Sequence, residues 1–433
     1  MTRLIFLSLL CISRITIAQV PNETTERAND FLKLVLEDRY QEATSYFEPI
    51  VLMQLPADKL EELWNTLNGQ VGNFEKHTKT RTEQLQNWNI VFLTCKFERS
   101  ILDLKLVFTA ENKITGIFFV PPKPDKEYQL PKYATPTEYT ENPFVVVSGS
   151  YKLPGTLTIP TNTNTFPIVI LVHGSGPNDR DETIGPNKPF KDLAVGLANM
   201  GIGVLRYDKR TYIYKDGVET ITIDDETVMD AKSALNQALS IEGCKSVYIL
   251  GHSLGAFVGP KIATGEKNLS GLIMMAGNAR PFEDLIFEQV NYILSENGLT
   301  DFEKEEIEKT KEQVELVKSP ALSEGTPSNT LPLNIPANYW LDLRNYDPVK
   351  TAKKLKLPIL ILQGERDYQV TMTDFNIWKE SLSYKKKVSL KSYPELNHLF
   401  MEGMGKSTPG EYLEPQNIPH YLIQDIATWI KNN

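Results

Sequence analysis

The chain reads as an α/β protein, a mostly parallel sheet with helices on both faces and a helical lid, preceded by a small α+β domain. Three observations predict this. Beyond about residue 144, short apolar β-rich runs alternate with helical segments, a rhythm that calls for parallel strands buried on both faces. Ahead of it, two helical periodicities lead into three strand-like runs. Between the two halves, residues 121–143 are proline-rich and poor in apolar residues, as a linker would be. With 433 residues, 41% hydrophobic and 23% charged, the chain can bury two cores.

Taken in order, the first residues carry a basic Arg3, an apolar run from Leu4 to Ile12, and small Thr16 and Ala18. This resembles a secretory signal peptide over 1–18 with a cut near Ala18, so the mature protein is expected to be secreted or periplasmic. The small domain is expected over 19–120. Ala28, Phe31, Leu32, Val35, Leu36, Tyr40, Ala43 and Phe47 recur mostly at spacings of three and four, predicting a helix over 26–47. A second helix is expected over 57–67, then strands over 89–97, 100–109 and 114–120.

The larger domain, 144–433, opens with a hairpin at 144–147 and 155–159. Strands follow at 167–173, 201–207, 247–250, 271–276, 358–363 and 387–393, with helices at 190–199, 225–239, after Ser253, and at 418–431. The insertion at 277–346 reads as the lid. It holds an amphipathic segment (Leu285, Ile286, Val290, Ile293, Leu294), a charged helix over 301–318, and a Pro/Ser-rich stretch.

Composition narrows the function. The formal net charge is −9 and falls to −11 without Arg3 and Arg14, which opposes nucleic-acid backbones and anionic lipid. Nucleic acid is therefore not an expected partner. No later run approaches the ~20 apolar residues of a membrane span. Cys95 and Cys244 would lie in different domains, against a disulfide framework. His77, His173, His252, His398 and His420 show no metal-ligand spacing, so no metal and no cofactor is expected. Two glycine motifs fail as nucleotide loops: Gly405-Lys406-Ser407 has Phe400 where the first glycine belongs, and Gly201-Ile202-Gly203 has Arg206 where the third does.

The chemistry centres on residues 246–258, S-V-Y-I-L-G-H-S-L-G-A-F-V, a G-x-S-x-G directly after a strand-like run. Its small residues suit a sharp strand-to-helix turn that would present Ser253 as a nucleophile. A hydroxyl needs a base at neutral pH, and the base needs an acid to fix its tautomer. Asp367 follows one late strand in L-Q-G-E-R-D, and His398 follows the next in Y-P-E-L-N-H, so Ser253, Asp367 and His398 stand in the order of a catalytic triad. Among rival acids, Asp347 also lies near these strand ends, as does Glu395; Glu365 is still in the turn entry, and Asp374 is placed to cap the next helix. His252 and His173 read as structural or substrate-facing. H-G-S-G-P at 173–177 ends a strand, so a backbone N–H near Ser175 can join that of Leu254 as an oxyanion hole. Tyr339 and Trp340, where the lid re-enters the domain, are the candidate substrate pocket.

These residues carry a family resemblance. Across 144–433 the sequence resembles an α/β-hydrolase superfamily serine esterase, and H-G-S-G-P-N-D-R-D-E, N-K-P-F-K-D-L-A, V-L-R-Y-D-K-R-T and L-Q-G-E-R-D-Y-Q-V-T resemble secreted bacterial acyl-ester hydrolases. The resemblance implies cleavage of a small-molecule acyl ester through a covalent acyl-serine. A peptidase of prolyl-oligopeptidase type and an acyl thioesterase remain alternatives, as does a ligand-binding module with an unused triad. The region before residue 144 is too short for the β-propeller that such peptidases carry. In D-R-Y-Q-E-A-T-S-Y-F and L-V-F-T-A-E-N-K-I-T-G-I, the small domain resembles a nuclear-transport-factor-2-like unit.

Overall fold

The computed structural model describes residues 20–123, 126–215, 220–295 and 298–433. The expected signal peptide lies outside them. The chain divides into two compact units at Lys123/Pro124.

The first unit packs helices Asn22–Leu36 and Ala57–Val71 on an antiparallel sheet of β1 (Phe74–Leu85), β2 (Trp88–Phe97), β3 (Ile101–Phe108) and β4 (Ile114–Val120), in that order. Three elements differ from expectation. The first helix stops at Leu36 because Asp38 adopts φ 56°, and only short turns continue to Tyr46. A further helix, Pro49–Gln54, has no buried residue, and its I-V-L-M run is apolar all round rather than on one face, so no helical period shows. β1, F-E-K-H-T-K-T-R-T-E-Q-L, is an edge strand with its side chains largely in water, so the alternation that reveals a half-buried strand is absent.

The second unit holds one eight-stranded sheet. Its strands are β5 (Tyr139–Ser148), β6 (Tyr151–Pro160), β7 (Phe166–Val172), β8 (Gly203–Tyr207), β9 (Cys244–His252), β10 (Leu269–Met275), β11 (Ile359–Gly364) and β12 (Val388–Tyr393). They are ordered β12-β11-β10-β9-β7-β8-β6-β5. From β8 to β12 neighbours run parallel, and β6 and β5 are antiparallel additions. Separate apolar cores fill the two faces, one around Ile249, Phe257 and Trp378 and the other around Leu250, Phe190 and Ile426.

The stretch 121–143, expected as a linker, is for the most part structured chain of the second unit. The Tyr128 hydroxyl donates to buried Asp192 at 2.8 Å, the Tyr133 hydroxyl to the Ile418 carbonyl at 2.9 Å, and β5 already starts at Tyr139. Most of the stretch therefore belongs to the second unit. Its polar composition reflects an edge strand and a surface strap, and Pro143 is tolerated because β5 is the sheet's edge. Between β10 and β11 lie helices Phe282–Leu294, Asp301–Lys318 and Ala337–Arg344. Thr300 and Glu303 close a capping box on the second.

Candidate active site

The parallel strands end together, so the loops after β7, β9, β10, β11 and β12 gather at one edge of the sheet, where ligands bind in such folds. After β9 the chain turns sharply into helix Leu254–Ala263. Ser253 makes that turn at φ 53°, ψ −117°, a strained conformation for a residue with a Cβ. The turn closes only because its neighbours are bare. A Cβ on Gly251 would strike the Gly255 carbonyl, and one on Gly255 would strike the Val172 and His173 carbonyls of the β7 end. The Ser253 N–H is held by the Met275 carbonyl at 2.9 Å, which anchors the turn to β10.

Asp367, after β11, is buried and fully engaged. Oδ1 accepts the Gln369 and Val370 N–H groups at 2.8 and 3.0 Å. Oδ2 accepts Gln363 Nε2 at 3.1 Å and stands 2.7 Å from His398 Nδ1. His398, after β12, is 5% exposed, and its carbonyl lies 2.9 Å from His252 Nε2, the ring next to Ser253 in the chain. Asn397 shapes the histidine loop by accepting the Leu399 and Met401 N–H groups at 3.1 Å each.

The rival carboxylates are occupied elsewhere, apart from Glu395. Asp347 caps helix Pro348–Lys354 through the Lys350 N–H, and Glu365 accepts from Ser392. Asp374 does not cap its helix as expected. Its carboxylate lies fully buried, taking the Ala279 and Arg280 N–H groups and the Arg280 guanidinium, because an arginine arriving from the segment after β10 outcompetes the local helix end.

Leu254 opens its helix, so its N–H has no carbonyl one turn back and is free for an oxyanion. Across from it, a Cβ placed on Gly174 would sit 3.7 Å from Ser253 Oγ. Residues 174–176 thus run from the serine hydroxyl to a cavity of about 620 Å³ that begins at Ser175 and Gly176. Ile221, Phe282, Leu333 and Ile335 supply apolar wall, with Glu226, Glu324, Thr326 and Ser328 among the polar lining.

Tyr339 lines this cavity and donates its hydroxyl to Glu226 at 2.9 Å. Burial, followed by the Glu226 charge, lifts that hydroxyl well above its ordinary pKa, so it remains a donor. Trp340 does not line it. Its indole is fully buried, stacked on Phe282 at 5.8 Å between centroids, because consecutive helical residues point about 100° apart and only one of the pair can face the cavity. Trp340 is thus scaffold. Trp340→Ala is expected to cost about 3–5 kcal/mol of stability and to lower kcat/KM equally for acetyl and bulky aromatic esters, read by thermal melts and parallel kinetics.

Sequence reasoning missed Glu182. It is 2% exposed, holds φ 52°, and accepts the Gly174 N–H at 2.6 Å while facing His252 Nδ1 at 2.9 Å. Its only signal was its place in the H-G-S-G-P-N-D-R-D-E stretch, and no spacing rule links it to a histidine seventy residues on.

The sheet order, the serine turn and the carboxylate-backed histidine together define an α/β-hydrolase. The chain belongs to the family described as serine aminopeptidase, S33 (Hydrolase_4), whose model matches residues 165–403. A domain family of unknown function (DUF3887) matches residues 28–117. Esterase EstD of Thermotoga maritima is 38% identical over 400 residues, 92% of this chain and 93% of the relative. Among solved structures, Est1E from Butyrivibrio proteoclasticus is 16% identical with a TM-score of 0.45, covering 67% of this chain and 98% of its own. An esterase of Pyrococcus furiosus is 14% identical with a TM-score of 0.46, covering 71% and 98%.

Proposed function

We propose that the protein hydrolyses neutral carboxylic acyl esters through a covalent acyl-serine. The observation that carries this is the arrangement of Ser253 on a strained turn, with the Asp367–His398 pair tied to the adjacent residue and a cavity beginning at the loop beside the hydroxyl. In this reading His398 Nε2 takes the Ser253 proton as Oγ attacks the acyl carbon, and returns it to the departing alcohol. The Asp367 carboxylate holds Nδ1–H and balances the imidazolium. The Leu254 and Ser175 N–H groups receive the oxyanion. Water then repeats the sequence on the acyl-enzyme. A fluorophosphonate should label the folded protein at Ser253, and mass spectrometry showing no adduct there would remove the reading.

The cavity also sets a charge rule. Glu226 and Glu324 line it, and among the described residues no lysine or arginine does; Lys209, buried and 3.3 Å from Glu226, offsets that charge and leaves Glu324 to set the sign. A second negative charge a few ångströms from the Glu324 carboxylate costs on the order of 1.4 kcal/mol after screening. An aryl ester whose acyl chain ends in a carboxylate should therefore show kcat/KM at least about tenfold below its methyl-capped analogue. Equal values would place the acyl chain outside this cavity.

A further inference from the structure

We propose that Glu182 and His252 form a positioning pair that clamps the catalytic-histidine loop to the oxyanion loop across the serine turn. The inference rests on the serine-hydrolase reading above and assigns roles to two residues that no triad includes.

The geometry makes three links in series. Gly174 N–H, on the loop after β7, donates to Glu182 Oε1 at 2.6 Å. Glu182 Oε2 lies 2.9 Å from His252 Nδ1, off the line of a good hydrogen bond, so that contact is chiefly ionic. His252 Nε2 lies 2.9 Å from the His398 carbonyl oxygen. One buried imidazole thus joins the loop beside Ser253 Oγ to the residue that would take its proton. The rings of His252 and His398 are 4.8 Å apart.

The protonation state follows from the partners. A carboxylate and a backbone carbonyl are both acceptors, so each ring nitrogen of His252 needs a hydrogen, and only the imidazolium has two. Burial alone would lower the pKa of His252, but the Glu182 charge and the His398 carbonyl outweigh it and leave it raised. Burial likewise opposes ionisation of Glu182, and the His252 charge and the Gly174 N–H overcome it. Other titratable groups facing the pair are Asp367, which favours the cation, and His173 with Lys209 on the Glu182 side. His173 is driven to about 4 by burial and then by Lys209, so it stays neutral. The backbone also testifies to constraint, because Glu182 is a buried, charged, non-glycine residue at φ 52°.

The sign of the pH effect follows. A histidine whose folded pKa is raised contributes fully below its ordinary value near 6.5, and the contribution is lost as pH rises through the folded value. Deprotonation leaves one nitrogen lone pair against an acceptor and loosens the clamp. Wild type should therefore show an alkaline fall in kcat that belongs to His252.

The test uses the full-length protein and 4-nitrophenyl acetate. Glu182→Ala should lower kcat about 10–100-fold with KM within about twofold, since a misplacement of about 1 Å in reacting groups costs on the order of 100-fold. Glu182→Gln should recover most of that loss, because its carbonyl can accept the Gly174 N–H and its amide can donate to a neutral His252 that still donates to His398. In Glu182→Gln the alkaline fall should vanish, since His252 is already neutral and has no second proton to lose. If Glu182→Ala does not fold, Glu182→Gln/His252→Phe removes both charges and the link to His398 at similar volume, and the same fall in kcat is expected. Wild-type kcat in either clamp-breaking variant would overturn the proposal. So would a Gln variant no faster than Ala, since a merely structural role would change melting temperature and leave kcat of the folded fraction alone. Absence of wild-type hydrolysis and of Ser253 labelling would instead strike the underlying hydrolase reading.

Discussion

Ser253→Ala should lower kcat for an activated acetyl ester by about 10⁴–10⁶-fold without loss of fold. Alanine keeps the Cβ that the φ 53° turn already accommodates, so the elbow, its bond to the Met275 carbonyl and the bare approach of Gly251 and Gly255 are unchanged. Only the oxygen is lost. What remains is binding in the cavity and any oxyanion stabilisation by Leu254 and the β7 loop, which in such sites still exceeds uncatalysed water attack. Stopped assays with circular dichroism on the same sample check this. The labelling by fluorophosphonate should disappear in parallel. An alanine variant with more than about a hundredth of wild-type kcat would mean that another group attacks the ester.

The elements of the larger domain were legible because a buried parallel strand writes itself as a continuous apolar run, as V-Y-I-L does before the serine turn and P-I-L-I-L-Q does before Asp367. Ser253, Asp367 and His398 were candidates because each follows a strand, and the structure brings the Asp367 carboxylate to 2.7 Å from His398 Nδ1. Elements with little burial were less legible. β1 presents lysines, threonines and glutamates to water and shows no hydrophobic period, and of edge strand β5 only the F-V-V-V half was read as a strand, since residues 139–143 are polar and largely exposed. Trp340 was misassigned because sequence cannot tell which of two adjacent aromatics turns toward a cavity. Tyr339 does so through its hydroxyl bond to Glu226, and Trp340 turns onto Phe282. Glu182 was invisible for a different reason. A carboxylate buried by tertiary contact with Gly174 and His252 has no local pattern, and only the strands' shared edge brings the three together.

Asp367→Asn should lower kcat about 10⁴-fold at neutral pH, a larger effect than the loss of one hydrogen bond explains. The reason lies in which oxygen faces what. Oδ1 accepts two backbone N–H groups, from Gln369 and Val370, and these demand an acceptor at that position. The asparagine oxygen must sit there, which turns its amide nitrogen toward His398 Nδ1 and Gln363 Nε2, where Oδ2 now lies 2.7 and 3.1 Å away. An amide nitrogen donates only, so His398 must offer Nδ1 as acceptor and carry its hydrogen on Nε2. That tautomer presents a donor to Ser253 and cannot take its proton. Gln363 meets the new donor with one of its own, but it also bonds the Gly364 and Val370 carbonyls and has somewhere to turn, so the fold should survive. Kinetics on the acetyl ester, with a thermal melt beside them, test both halves of the argument. If Asp367→Asn kept kcat within tenfold of wild type, His398 would be taking its tautomer from another partner and Asp367 would be a loop-shaping residue alone.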